Sequence, residues 1–93
     1  MRTIDRASAF KRDYKREAKG QHRATLDRDL KPVLVALATD HPLDAKYRDH
    51  DLSGDWAGYR ECHVKPDLLL IYRKSDPDTL RLARLGSHSE LFG

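Results

Sequence analysis

The chain has 93 residues, of which 39% are hydrophobic and 35% are charged. This length predicts a single domain over residues 1–93, because two halves would each be too small to enclose a core. The longest apolar run covers only residues 33–38, whereas a membrane-spanning helix needs about 20 apolar residues. The first twenty residues contain no apolar signal segment, and the only cysteine is Cys62. We therefore expect a protein of the reducing cytoplasm without an internal disulfide.

Positive charge is concentrated in the first half of the chain. Residues 1–46 contain eleven basic and seven acidic side chains, whereas residues 47–93 contain seven and eight. A one-sided basic surface on a small protein favours RNA or an acidic protein as the partner. The side chains that we predict to bind RNA through this surface are Lys11, Arg12, Lys15, Arg16 and Lys19.

The first predicted helix covers residues 8–19. Phe10, Tyr14 and Ala18 recur at helical spacing, so this stripe is expected to face the core while the opposite face carries basic residues. Ser8 is a suitable N-cap for this helix.

A second helix is predicted to place its leucine and valine side chains on the face toward the core and to end near Thr39. Pro32 leaves two possible N-terminal positions for this helix. A proline inside a helix destabilises it by about 3 kcal/mol and removes one backbone hydrogen bond. A cap at Asp29 would leave Pro32 in the first turn, whereas a cap at Thr25 gives a longer, kinked helix. We favour the longer helix.

The remaining elements are strands and one long loop. A short strand is predicted over residues 2–6, and residues 40–54 read as a loop. Turn residues then separate three strands, which cover residues 56–64, 68–73 and 79–85. The pattern predicts an α+β fold with a short N-terminal strand, two helices packed on one face of an antiparallel sheet, and a short C-terminal helical turn.

Alternation in the last strand creates a conflict at Arg84. If Leu80 and Leu82 face the core, period-two alternation turns Arg84 toward the core as well. Either a β-bulge or an earlier end of the strand would release this charged side chain.

Histidines in the second half of the chain are the candidate catalytic residues. Neighbouring strand ends meet in a meander, so His63, Asp67 and residues 84–88 are expected to converge, with His50 on the long loop. Histidine and aspartate near an arginine can act as acid, base and phosphate clamp. The alternative is that the histidines are scattered over the surface. They lack the tight ligand spacing of a zinc site, so we expect no metal and no cofactor.

The last residues predict one helical turn. Ser87 and Glu90 have the spacing of a capping box, which places His88 at the first helical position. Phe92 on this turn either completes the core or offers a ring on which a base can stack.

Two segments of the chain resemble a known family. Residues 47–72, YRDHDLSGDWAGYRECHVKPDLLLIY, and residues 84–93, RLGSHSELFG, are similar to the YafQ branch of the RelE/ParE toxin superfamily. In the helices only length and order agree. Two positions depart from the family pattern: Asp51 stands where relatives usually have proline, and Leu68 stands where the best-known member has tryptophan.

The resemblance implies the toxin of a type II toxin–antitoxin pair with a compact RelE-like fold. Such toxins enter the ribosomal A site and cut the mRNA there without a metal ion. The ribose 2′-hydroxyl attacks the adjacent phosphate and expels the 5′-oxygen. By this resemblance, the functional positions are His50, His63, Asp67, Arg84, His88 and Phe92.

Each of these positions suits one part of the reaction, which needs a base, an acid and positive charge at the phosphate. Asp67 and His50 are both candidates for the base. His88 is the predicted acid and Arg84 the phosphate clamp. His63 is expected to contact the phosphate or to orient a neighbouring group.

The resemblance also implies partners. The expected antitoxin is a DinJ-like ribbon-helix-helix protein with an acidic flexible tail, and the toxin is expected to be monomeric outside that complex. The basic helix face would then dock ribosomal RNA.

Two other classes of function fit parts of the sequence. A non-catalytic relative of the ParE toxins would bind a protein target, but it would not require three histidines. A basic RNA-binding module without turnover would present exposed aromatic rings, whereas Tyr59 and Tyr72 are expected to pack in the core beside Trp56.

Overall fold

The computed structural model describes residues 1–93. Its elements in chain order are β1 (Thr3–Arg6), α1 (Ser8–Glu17), α2 (Leu26–Ala38), β2 (His50–Asp51), β3 (Arg60–Lys65), β4 (Leu68–Asp76), β5 (Thr79–Gly86) and α3 (His88–Phe92). Short 3-10 turns at Ala45–Tyr47 and Gly54–Trp56 interrupt the connection between α2 and β3. No helix combines the length and the apolar character that crossing a bilayer requires.

The five strands form one sheet in the order β1-β5-β4-β3-β2. β2 to β5 pair antiparallel with their neighbours, whereas β1 runs parallel to β5, with Thr3 beside Thr79. The predicted α+β class is therefore confirmed, and the sheet is mixed rather than antiparallel throughout. Parallel pairing is available to β1 because two helices and three strands separate it from β5, which leaves ample chain for the crossover.

One face of the sheet forms the core with α2 and with Phe10 of α1. Leu30, Val33 and Leu37 of α2 are almost wholly buried, as are Leu70 and Leu82 of the sheet. Burial of leucine and valine side chains of this size stabilises the fold by about 1.5–3 kcal/mol each.

The longer form of the second helix is confirmed. Thr25 occupies the N-cap position and Pro32 lies inside the helix. Proline cannot donate the backbone hydrogen bond of that position, and burial of the leucine face compensates for the loss.

α1 differs from its prediction in its start, its end and part of its buried face. Ala7, not Ser8, occupies the N-cap position, because the N–H of Ala7 is donated to the carbonyl of Leu82 and holds residue 7 extended. The helix ends at Glu17, two residues early, and Ala18 is exposed. Phe10 and the partly buried Tyr14 pack in the core as predicted, and the other buried residues of the helix are two carboxylates, Asp13 and Glu17.

These carboxylates lie on the side of α1 that covers an open sheet edge. β1 pairs with β5 only as far as Leu82, so the backbone groups of Leu85 need other partners. Asp13 Oδ2 accepts the N–H of Leu85 at 3.0 Å, and Arg16 donates to the carbonyl of Leu85 at 3.0 Å. Beyond the end of β1, side chains of α1 therefore supply the hydrogen-bond partners of β5.

A β-bulge at Ala83 resolves the conflict at Arg84. Ile71 pairs with Arg84 and Tyr72 pairs with Leu82, so Ala83 has no partner in the register. The extra residue shifts the alternation by one position. As a result Leu82 and Leu85 both enter the core, whereas Arg84 lies on the opposite face of the sheet.

The first meander strand also begins later than predicted, at Arg60. Trp56 lies in a 3-10 turn, and its ring makes an edge-to-face contact with Tyr59 at 5.2 Å between centroids. Both rings are only half-buried, whereas Tyr72 is 2% exposed and belongs to the core. The expected core position is therefore confirmed for Tyr72 and wrong for Tyr59 and Trp56, which pack against each other outside the core cluster.

Candidate active site

The register of the sheet brings candidate residues together in two rows on the face opposite the core. In the first row His50 lies beside Glu61, Glu61 beside Ile71, and Ile71 beside Arg84. Strand spacing of about 4.8 Å places His50 and Arg84 about 14 Å apart at the backbone. The next row toward the end of the sheet begins with His63 on β3.

Glu61 stands between the two histidines. Its Oε1 atom is 3.6 Å from Nε2 of His50 and 3.6 Å from Nε2 of His63. The Glu61 side chain is 7% exposed, so its charge is poorly screened by water. This carboxylate therefore lies within reach of a ring nitrogen of both histidines.

The hydrogen bond of His50 fixes which ring nitrogen is free. Nδ1 lies 2.7 Å from the carbonyl oxygen of Arg48. A carbonyl can only accept, so Nδ1 donates and the neutral ring has an unprotonated Nε2. This nitrogen can take up a proton, and the resulting positive charge would face Glu61.

Asp49 anchors the loop that carries His50. It accepts hydrogen bonds from the hydroxyl of Tyr72 and from Arg60 at 3.0 Å. Burial and this bond to Asp49 raise the pKa of Tyr72, and hydrogen bonding to Asp49 raises the pKa of Arg60. Asp51 pairs with the same Arg60 guanidinium, so the residue that departs from the family pattern is tied to the sheet.

On the other side of the row, Asp13 holds Arg84 through two hydrogen bonds. Arg84 Nε lies 2.7 Å from Asp13 Oδ2, and Nη2 lies 3.2 Å from Oδ1. Burial alone would raise the pKa of Asp13, but the bond from Arg84 and the N–H of Leu85 outweigh it and lower this pKa. These two bonds hold the guanidinium of Arg84 in one orientation, and its Nη1 has no partner within the chain.

Arg16 belongs to the same cluster and is not a free surface cation. Its guanidinium contacts Asp13 at 3.1 Å, Glu17 at 3.0 Å and Glu90 at 3.0 Å, besides the carbonyl of Leu85. These contacts join α1 to β5 and α3. All five basic residues predicted to bind RNA are exposed, but Arg16 is also paired with three carboxylates of the chain.

The predicted capping box of α3 is present. Ser87 Oγ accepts the N–H of Glu90, and Glu90 accepts the N–H of Ser87. This second bond is the main cause of the lowered pKa of Glu90. His88 is exposed at the first helical position, and its ring centroid lies 5.1 Å from that of Phe92. Phe92 is 38% exposed, so the ring is available for stacking and does not complete the core.

Asp67 lies outside the two rows, in the turn between β3 and β4. Its carboxylate accepts a hydrogen bond from Gln21 at 3.0 Å and lies 3.3 Å from Nε2 of His22. His22 is buried. Leu68, the second departure from the family pattern, is wholly buried in the core cluster.

Four residues of this site were missed from the sequence: Asp13, His22, Asp49 and Glu61. Glu61 carried a usable signal, because it precedes His63 by two residues on a strand and so shares its face. Asp13 follows Phe10 at helical spacing, which also placed it on the buried face. The partners of His22 and Asp49 depend on loop conformations that no local pattern encodes. No cluster of three or more histidine, cysteine, aspartate or glutamate side chains has an arrangement suited to a metal ion.

The model of a bacterial toxin family of type II toxin–antitoxin systems, YafQ, matches residues 2–93. The chain belongs to the YafQ family. The mRNA interferase toxin YafQ of Escherichia coli K12 is 38% identical over 92 residues, which cover 97% of this chain and 99% of that protein.

Solved toxin structures share the whole fold. YafQ in the E. coli DinJ–YafQ complex has a TM-score of 0.84 with 39% identity, and the match covers 100% of both chains. A metal-bound toxin from Helicobacter pylori has a TM-score of 0.81 with 45% identity, and the match covers 99% of this chain and 100% of that toxin. The expected family and fold are therefore confirmed.

Proposed function

We propose that this YafQ-family chain is a ribosome-dependent endoribonuclease that cuts mRNA in the A site and thereby inhibits translation. It would act in the cytoplasm, where its substrate is. The observation that carries this proposal is the row with His50 at one end and Arg84 at the other, beside α3 with His88 and Phe92. A proton acceptor, a fixed positive charge, an exposed imidazole and a stacking ring are the parts that the reaction requires.

His50 is the better candidate for the general base. Its Nε2 carries the free electron pair, and Glu61 stabilises the charge that arrives with the proton. Asp67, the alternative, is already engaged by Gln21 and lies beside His22. We assign Asp67 to holding the β3–β4 turn next to the substrate, and His63 to a contact with the phosphate.

The proposed reaction balances with these groups alone. Nε2 of His50 removes the proton from the ribose 2′-hydroxyl, and the 2′-oxygen forms a bond to the adjacent phosphorus. The bond between phosphorus and the 5′-oxygen breaks, and His88 donates a proton to that oxygen. Arg84 stabilises the additional negative charge on the phosphoryl oxygens. Proton exchange with water then restores both histidines.

The proposal excludes a metal from the chemical step, and chelation tests this directly. We would measure mRNA cleavage on translating ribosomes with excess EDTA, restoring only the magnesium that the ribosome needs. Cleavage should continue at its original rate, and an mRNA with a 2′-deoxy nucleotide at the cleaved position should stay intact. Restoration of a lost activity by zinc or manganese alone would contradict the side-chain mechanism.

The second proposed partner is a DinJ-like ribbon-helix-helix antitoxin, with the toxin monomeric outside the complex. A groove of about 840 Å³ lies between β1, α1 and α2. Ile4 and Val35 expose apolar surface in it, while Lys11, Lys15 and Lys31 supply positive charge. This combination suits an acidic segment with an apolar side that becomes ordered on binding.

Salt dependence tests this docking site. Association of the toxin with the antitoxin should slow as salt increases, because exposed charges are screened over about 8 Å at physiological ionic strength. Replacing Lys11 and Lys15 by glutamine should flatten that dependence. A double replacement of Lys74 and Arg81, which lie outside the groove, serves as the control. Equal slopes for the wild type and the Lys11/Lys15 variant would contradict the assignment.

A further inference from the structure

A cationic cavity lies directly beside the proposed active site. It has a volume of about 600 Å³ and is bounded by the start of α2, the 3-10 turn Ala45–Tyr47 and the end of β3. The basic side chains that line it are Arg28, Lys46, Arg48 and Lys65. None of these four belongs to the predicted catalytic set or to the predicted RNA-binding face.

The cavity has an uncompensated positive charge. Asp29 is the only carboxylate among its lining residues, and it pairs with Lys65 at 3.0 Å and with Arg28 at 3.6 Å. Lys46 has no acidic partner, since its Nζ lies over the ring of Tyr47 at 5.1 Å from the centroid. Four cations and one carboxylate leave a charge of about +3 in a concave surface, which concentrates the potential.

This cavity shares two residues with the proposed active site. The side chain of His63 lines the cavity, and its Nε2 also lies 3.6 Å from Glu61 in the catalytic row. Arg48 contributes its side chain to the cavity and its carbonyl oxygen to His50. A polymer that places one phosphate between His50 and Arg84 therefore passes this cavity with a neighbouring part of its backbone.

We propose that the cavity binds the backbone phosphates of the mRNA segment next to the cleaved bond. This inference rests on the proposed function. An mRNA is favoured over ribosomal RNA because His63 and Arg48 belong to the cavity and also contact Glu61 and His50 of the proposed active site. Lysine and arginine in a groove with an aromatic ring are typical of single-strand binding, in which affinity comes from the backbone and depends on salt. Lys46 and Lys65 would supply charge to the substrate without taking part in the chemical step.

The test compares ribosomes with and without mRNA. We would measure the affinity of the toxin for vacant ribosomes and for ribosomes programmed with an mRNA carrying a 2′-deoxy nucleotide at the cleavage position. The variant is Lys46→Gln with Lys65→Gln, and the matched control is Lys74→Gln with Arg81→Gln, which removes the same charge elsewhere. Both control residues pair with exposed aspartates.

The Lys46/Lys65 variant should bind programmed ribosomes about 10-fold more weakly and vacant ribosomes as the wild type does. The slope of log affinity against log salt for programmed ribosomes should become shallower by about 1.4, the value for two lost contacts to a single strand. Its kcat should stay unchanged while KM rises. The control should match the wild type throughout.

Three results would overturn the inference. Equal weakening on vacant and programmed ribosomes would assign the cavity to ribosomal RNA. Weaker binding of the antitoxin alone would assign it to that protein, and unchanged binding throughout would leave it without an RNA role. Failure of the proposed function is recognised separately, because the wild type would then neither cleave mRNA nor prefer programmed ribosomes.

Discussion

The two ends of the proposed catalytic row, His50 and Arg84, are held in different ways. Arg84 donates two hydrogen bonds directly to Asp13, a buried carboxylate on a regular helix. His50 lies on a two-residue strand and is exposed, and Asp49 beside it secures the loop through Tyr72 and Arg60. The proposed phosphate clamp is thus built into the packed part of the molecule, whereas the proposed base depends on a loop.

This difference matches the demands of the two roles. A group that stabilises charge in the transition state acts best when its direction is fixed beforehand. A base must approach a hydroxyl on a substrate that enters and leaves, so limited mobility of its loop is compatible with its role. Changes at the Arg84 end should therefore affect stability most, and changes at the His50 end should affect activity most.

The largest effect is expected from removing the proton-transfer groups. His88→Ala and His50→Ala should each lower the cleavage rate about 10²–10⁴-fold, the range for general acid or base catalysis. Both side chains are exposed, so the thermal unfolding midpoint should change little. A folded His88→Ala protein that cleaves mRNA within a few-fold of the wild type would show that the acid is another group.

Removing the ion pair between Asp13 and Arg84 should produce the largest loss of stability. Asp13→Asn removes the charge that pairs with Arg84 and Arg16 and should cost about 2–3 kcal/mol of unfolding free energy. For a chain of this length the thermal midpoint would fall by roughly 10–20 °C. Asp27→Asn, which changes an exposed carboxylate bonded to Tyr14, is the control and should cost less than half as much. Equal losses would remove the contrast between the buried and exposed sites.

At the His50 end of the row, Asp49→Asn should affect the cleavage rate more than the stability. The amide still accepts one hydrogen bond, so we expect a loss of only about 1 kcal/mol. The cleavage rate should fall about 10-fold because the loop that positions His50 loses its charged anchor. Chemical denaturation and single-turnover cleavage would give the two values. A stability loss as large as that of Asp13→Asn, with no loss of rate, would contradict the comparison.

Acid should weaken the Arg84 end through the same carboxylate. The pKa of Asp13 is lower in the folded chain than the ordinary value near 3.9. Its contribution to stability is therefore fully present above about pH 4 and disappears as the pH falls through the lowered pKa. Urea unfolding of the wild type and Asp13→Asn at pH 7 and at pH 3 should give a smaller difference at pH 3. A constant difference would mean that the charge of Asp13 contributes nothing.

The smallest expected effect concerns the reactivity of Cys62, which lies on β3 and points into the core. Burial raises the pKa of this thiol to about 12, and the side chain is wholly buried. Reactive thiolate is therefore scarce at pH 8. Alkylation by iodoacetamide should be slow in the native protein and become fast in urea. Rapid alkylation without denaturant would indicate that this part of the sheet opens readily.

Much of the architecture could be predicted from the sequence because it follows local periodicity. The α2 face, the three meander strands and the Ser87–Glu90 capping box all repeat at the spacing of their element. The stripe on α1 was predicted in part, because Phe10 and Tyr14 pack in the core. Ala18 is exposed, and an open edge of β5 requires Asp13 on the same helix. That need arises from where β1 ends, which is a property of the assembled sheet.

The site was predicted to the extent that its residues are catalytic types. His63, Asp67 and residues 84–88 were expected to converge, but Asp67 lies apart, beside Gln21 and His22. The bulge that releases Arg84 was one of two options. The contacts that hold these residues could not be derived, since Asp13 lies 71 residues from Arg84 in sequence. The catalytic roles themselves stay predictions until the variants are measured.

The parallel pairing of β1 with β5 also sets the order in which the chain can fold. Hairpins between β3, β4 and β5 join residues close in sequence, whereas Thr3 and Thr79 meet only after nearly the whole chain is closed into one loop. Closing such a loop costs entropy before any contact repays it, so high contact order slows folding. We expect the meander to form early and β1, with α1 behind it, to dock late. The pair of Arg84 and Asp13, the proposed phosphate clamp, is then completed in one of the last steps of folding, after the sheet that carries Arg84 has formed.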